Sequence, residues 1–76
     1  MAIYPVPAEG NSVVLKWSGP TDGVSYTLVD ALGREVLNGA LNRSTEMLNL
    51  EGIQPGVYHI IVDLNGQQVS KVFLRK

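Results

Sequence analysis

The chain has 76 residues, with six Lys and Arg against seven Asp and Glu, one His and no Cys. This length allows a single domain with one core. A hydrophobic content of 45% is typical of a folded chain and not of a disordered one. The lack of Cys excludes a disulfide framework and a thiolate metal site, and the net charge of −1 gives no support for nucleic-acid binding.

The charge is distributed unevenly along the chain. Residues 1–63 contain three basic and seven acidic residues, a balance of −4, whereas residues 64–76 contain three basic residues and no acidic one, a balance of +3. The basic end either protects a sheet edge or takes part in recognition, and composition leaves both open. No window approaches the ~18 apolar residues of a membrane span, and no signal peptide is visible. We therefore expect no membrane insertion. Ile3-Tyr4-Pro5 follows Met1-Ala2 directly, from which we expect a domain excised from a longer protein.

In chain order, turn residues separate about seven short segments that have the composition of β-strands. A turn at 30–33 joins two of them as a hairpin with a three- or four-residue connection. Asn65-Gly66 is the strongest hairpin signal, since a type I′ turn needs positive φ at both positions. The predicted strands are 2–4, 13–17, 25–29, 34–38, 45–50, 56–63 and 67–75.

The two strands nearest the C-terminus differ in pattern. The strand at 56–63 is apolar on both faces, which predicts a central position in a sheet. The last strand has Val69 and Phe73 in one phase but Val72 and Leu74 in the other, and a bulge would reconcile them. Seven antiparallel strands at this spacing predict an all-β, immunoglobulin-like β-sandwich, with a small closed barrel as the alternative.

No catalytic or metal-binding set stands out, and we expect no cofactor. His59 is the only histidine and has no second ligand near it in sequence. Asp30 and Asp63 are a conceivable carboxylate pair for glycoside hydrolysis, but solvated turn residues are the expected interpretation. Trp17 would serve a sugar-binding platform only with further coplanar aromatic residues, so a packing role is favoured.

Four segments, in this order, resemble a known family. They are Tyr4-Pro5-Val6-Pro7-Ala8, the stretch from Tyr26 to Val36 with Asp30-Ala31-Leu32-Gly33-Arg34, the stretch from Leu48 to Tyr58 with Pro55-Gly56-Val57-Tyr58, and the closing Lys71-Val72-x-Leu74-Arg75-Lys76. Together they resemble the C-terminal sorting domain of type IX secretion cargo (the Por secretion system signal, type A) over essentially the whole chain. Val6 stands where the family usually has Asn, which concerns only the opening turn.

The resemblance implies an immunoglobulin-like sandwich with no chemistry of its own. Its implied partners are the type IX machinery of a Gram-negative outer membrane: a translocon, a shuttle protein and a sortase. Cargo would cross the periplasm, pass the outer membrane and lose this domain at the surface, where a sortase joins the cargo to an anionic lipopolysaccharide. The cut would lie at or before the start of the domain. The alternative is a carbohydrate- or surface-binding module of an exported enzyme.

Physical chemistry predicts roles for individual residues of these motifs. The structural set is Tyr4, Pro5, Pro7, Asp30, Gly33, Arg34, Gly56 and Tyr58, in which we expect the glycines to hold turns, Asp30 to close its turn and Tyr58 to place a ring with a polar tip in the core. The recognition set is Lys71, Val72, Leu74, Arg75 and Lys76.

The recognition set lies on the last strand, which we expect at a sheet edge, open to a partner strand or to a homodimer by edge pairing or strand exchange. Removal of the last few residues, or charge reversal of Arg75 and Lys76, is expected to leave cargo in the periplasm while the sandwich still folds.

Overall fold

The computed structural model describes residues 1–4 and 10–76, and these form seven strands and no helix. No helix in this part of the chain is long and apolar enough to cross a membrane. The strands are β1 (Ala2–Tyr4), β2 (Ser12–Lys16), β3 (Val24–Asp30), β4 (Glu35–Ala40), β5 (Thr45–Asn49), β6 (Gly56–Leu64) and β7 (Gln67–Arg75).

The strands form two antiparallel sheets that pack as a sandwich. One sheet has the order β1-β2-β5 and the other the order β4-β3-β6-β7. The predicted all-β sandwich is confirmed. The strand at 56–63 is central, as its two apolar faces indicated, because β6 lies between β3 and β7.

The core lies between the sheets and follows the period-two alternation of each strand. On β6, Tyr58, Ile60 and Val62 are buried while their neighbours face outward. Val13 and Leu15 of β2, in the other sheet, are fully buried in the same cluster. The remaining buried apolar residues extend this cluster to every strand except β4 and include Ile3, Trp17, Val24, Leu28, Leu41, Leu48, Leu50 and Phe73.

The two hairpins of the larger sheet use different turns. A four-residue connection, 31–34, joins β3 to β4, and the register shifts between Leu28 and Val29. A two-residue turn joins β6 to β7, with φ of 51° at Asn65 and 97° at Gly66. Positive φ at both central positions is the type I′ geometry, and the Asp63 Oδ1 accepts the Gly66 N–H at 2.9 Å.

The bulge expected in the last strand does not occur. β7 pairs with β6 without interruption from Gln67 to Arg75, and the one register shift in the described sheets lies in the β3–β4 pair. The mixed apolar pattern has another cause: β7 buries Phe73 in one phase and exposes Val72 (56%) and Leu74 (43%) in the other. An edge strand with apolar residues on its outer face therefore produced the ambiguity.

We predict that Phe73→Ala lowers the free energy of unfolding by about 3–5 kcal/mol, because it leaves a cavity in the core beside Tyr58. Val72→Ala, its neighbour on the outer face, should cost at most about 1 kcal/mol. Both are measurable by urea unfolding followed through Trp17, which is the single tryptophan and is buried. Equal costs for the two variants would contradict the assigned faces of β7.

Candidate recognition surface

The Asp30 side chain organises the turn between β3 and β4. Its Oδ1 accepts the N–H groups of Leu32 and Arg34, each at 2.9 Å, and its Oδ2 lies 2.8 Å from the Arg34 Nε. The Gly33 N–H donates to the Asp30 carbonyl at 3.0 Å, and Gly33 has a φ of 82°. These contacts fix the turn, so that Leu32 stands 80% exposed at its tip.

Charge stabilises this turn. The Arg34 N–H, and then the Arg34 guanidinium and the Leu32 N–H, hold the pKa of Asp30 below its ordinary value of 3.8. Burial disfavours the charged form of the Tyr26 phenol and so raises its pKa. The Glu46 carboxylate adds to this rise.

Tyr58 ties the loop between β5 and β6 to the core. Its ring stacks on Phe73 with centroids 6.0 Å apart, and its hydroxyl donates to the Gln54 carbonyl. A tyrosine near the start of such a strand, bonded to the backbone a few residues upstream, is the tyrosine corner of immunoglobulin-like sandwiches. Gly56 begins β6 with a φ of 154°.

Arg75 performs a similar task from the neighbouring strand. It is only 9% exposed, and its Nε donates to the Ile53 carbonyl at 2.8 Å while its Nη1 donates to the Gly10 carbonyl. The guanidinium thus joins the end of β7 to the β5–β6 loop and to the residues before β2. Arg75 has a structural task that the sequence did not reveal, and its reversal would remove packing and hydrogen bonds as well as charge.

Several residues of the motifs that resemble the family therefore lie at one end of the sandwich. Asp30 and Arg34 of the first turn line two adjoining open depressions, of about 200 and 410 Å³, together with Gln54 and Tyr58 of the next loop. Tyr4 lies apart, half exposed at the end of β1. Pro5 and Pro7 lie outside the described residues.

The other members of the recognition set lie along β7 and at the end of the chain. Lys71, Val72 and Leu74 are exposed on this edge strand, and Lys76 is exposed directly after it. Lys71 is opposite Ile60 and on the same face of β7 as the buried Phe73. Val72 and Leu74 are on the outer face of the sheet.

Sequence reasoning missed how far this outer face is apolar. Val57 of β6 is 45% exposed and directly opposite Leu74, and Ile61 lies further along the same face, half buried. The signal was present in the sequence, because the strand at 56–63 is apolar on both faces. The second sheet covers only the face of Tyr58, Ile60 and Val62.

The described residues offer no evident catalytic or metal centre. They contain no group of three or more His, Asp or Glu that could hold a metal ion. Asp30 and Asp63 are five register positions apart along the β3–β6 pair, or roughly 17 Å. Trp17 is 7% exposed and donates its Nε1 hydrogen to the Pro20 carbonyl at 3.0 Å, so its ring has no free face for a sugar.

A family model described as the secretion system C-terminal sorting domain matches residues 2–76. The chain belongs to this family. The match spans both sheets, and the family is that of type IX secretion sorting signals, which are not catalytic domains. The sorting domain accordingly interacts with the type IX machinery and directs export toward the outer membrane or surface. No curated protein and no solved structure matched the chain.

We predict that Asp30→Asn destabilises the sorting domain at neutral pH and that this difference fades in acid. Because the folded pKa of Asp30 is lowered, its ionised form contributes stability above about pH 3.8, and this contribution disappears as pH falls through the folded value. Urea midpoints of both proteins between pH 7 and pH 2.5 measure the effect. Asp22→Asn removes the same charge from an exposed turn residue, as a control. A gap that is unchanged at pH 2.5 would contradict the charge argument.

We predict that Arg75→Lys costs about 1–3 kcal/mol of stability although it preserves the charge. An ammonium cannot reproduce the forked contacts to the Ile53 and Gly10 carbonyls, which are left with fewer donors. Urea unfolding measures the change, and Arg43→Lys provides the same substitution at an exposed position. Equal effects for the two variants would show that Arg75 does not hold the fold.

Proposed function

We propose that this chain is the C-terminal domain of a longer exported cargo protein and acts only as its sorting signal. In this proposal the folded sandwich crosses the periplasm with the cargo and presents its basic last strand to the translocon or its shuttle protein. A surface sortase then removes it at or before its first residues. The domain has no catalytic activity of its own, and any enzyme activity belongs to the cargo.

The family match over residues 2–76 is the observation that carries this proposal, because it covers the entire sandwich. The surface of the domain supports it. A third open depression, of about 530 Å³, is lined by Val14, Asn42, Thr45 and Met47 with one cation and one anion, Arg43 and Glu46. This mixture supplies neither an activated nucleophile nor a convergent acid–base pair.

The position of the basic residues supports β7 as the part that is recognised. Lys71 and Lys76 are exposed, and the 13 residues from Leu64 to Lys76 contain no carboxylate side chain. Arg75 points inward instead, so it holds the strand that carries the other two. Charges at an interface rim mainly set orientation and association rate. Removal of these charges should therefore impair sorting without unfolding the domain.

The test is a fusion of a signal peptide, a reporter enzyme and this chain, expressed in a host with the type IX machinery and in a strain that lacks it. We predict surface reporter activity only when the machinery is present. Lys71→Glu in the chain should reduce surface delivery severalfold and increase periplasmic reporter, because it reverses the charge of the last strand.

Lys16→Glu is the matched control for this charge reversal. Lys16 is exposed on β2, in the other sheet, and its substitution changes the net charge by the same amount. Delivery that does not depend on the machinery would refute the sorting function. Equal effects of the two substitutions would refute only the role of β7.

A further inference from the structure

We propose that the free edge of β7 docks one extended, acidic segment of another protein, which joins the larger sheet as a fifth strand. This inference rests on the proposed function and specifies how the sorting machinery would contact the chain. β7 is the last strand in the order β4-β3-β6-β7, and within the described residues it pairs with β6 alone. An unpaired strand edge presents N–H and C=O groups that a further strand can bond.

The register shows which residues present these groups. Just beyond β4, the Leu41 N–H donates to the Val24 carbonyl at 2.9 Å. Along a strand, successive residues bond to opposite neighbours. Positions 26 and 28 of β3, in step with Val24, are therefore bonded to β4, and positions 25, 27 and 29 are bonded to β6.

The same alternation continues into the last strand. Positions 59, 61 and 63 of β6 bond to β3, so positions 58, 60 and 62 bond to their β7 partners Phe73, Lys71 and Val69. The two-residue turn gives the same answer, because such a turn is closed by a bonded pair, here Leu64 with Gln67. The backbone groups that face the free edge are thus those of Gln68, Ser70, Val72 and Leu74.

The side chains of β7 define the occupant. A strand added at this edge would have one face beside Lys71 and the other beside Val72 and Leu74, which are about half exposed. Residues 64–76 contain no acidic side chain, and of their three cations Lys71 and Lys76 are exposed whereas Arg75 is buried. Opposite charges and apolar pairs across neighbouring strands are stabilising. The segment that fits places an acidic residue beside Lys71 and apolar residues beside Val72 and Leu74.

Charge argues against a second copy of this chain as the occupant. Two-fold pairing of β7 with itself, centred within one residue of position 71, would bring the two Lys71 side chains opposite each other or within two positions. Like charges placed in this way are destabilising. An acidic strand from another protein avoids this repulsion between lysines. Pairing of two copies of β7 is one of the outcomes that the experiment below can detect.

Amide hydrogen exchange of the 76-residue chain, measured by NMR at several concentrations, tests the edge directly. We expect the Ser70 and Val72 amides to exchange at least about 100-fold faster than those of Lys71 and Phe73. Equal protection at every concentration would overturn the proposal, because the chain itself would cover the edge. Protection that appears only at high concentration would overturn it in favour of a second copy.

Proline substitution then tests docking in the reporter fusion. Ser70→Pro and Val72→Pro each remove an N–H that points to the free edge, so the sandwich should still fold while surface delivery falls at least about tenfold. Ala40→Pro is the control: Gly39 bonds to β3, so the Ala40 N–H faces the opposite edge of the sheet, and delivery should be unchanged.

The outcomes separate this inference from the proposed function. If the unsubstituted fusion is not delivered, the sorting function fails, whatever the exchange pattern. If it is delivered and the folded Ser70→Pro and Val72→Pro fusions are delivered equally well, the edge is not the docking site. If neither proline variant folds, the proposal also fails, because those N–H groups would then be bonded within the sheet.

Discussion

Phe73 and Arg75 attach the last strand to the sandwich from its inner side. Phe73 stacks on Tyr58 in the core, and the Arg75 guanidinium donates to the Ile53 and Gly10 carbonyls. Because side chains alternate along a strand, these contacts use every second residue and leave Val72 and Leu74 on the outside. The strand that closes the core therefore also carries an exposed apolar face and a positive charge, and no other strand in the described part of the chain pairs with its second edge.

β7 buries two residues near its end and exposes the other seven. The inward-facing side chains of β7 end with Arg75, whose buried guanidinium donates hydrogen bonds to backbone carbonyls inside the domain. Lys71 and Lys76 remain at the surface. Two of the three cations that the sequence contains at this end are therefore exposed, next to an apolar strip.

Most residues that carry the family resemblance serve the fold. Asp30 fixes a turn, Gly33 adopts a φ of 82° within it, and Tyr58 anchors the next loop through the Gln54 carbonyl. They lie at one end of the sandwich, beside the loop that Arg75 also binds. These contacts hold the loops at that end of the sorting domain in place.

The sequence by itself determined the strands, the two hairpins, the central position of β6 and the family, because these depend on local alternation, on turn chemistry and on motif order along the chain. It did not determine the phase of β7, where a bulge was expected, or the inward direction of Arg75. Both depend on which neighbours the strand acquires: Ile53 and Gly10 are 22 and 65 residues away in sequence from Arg75. Only the tertiary structure brings those carbonyls to one guanidinium, and only the sheet order of residues 1–4 and 10–76 places β7 at an edge.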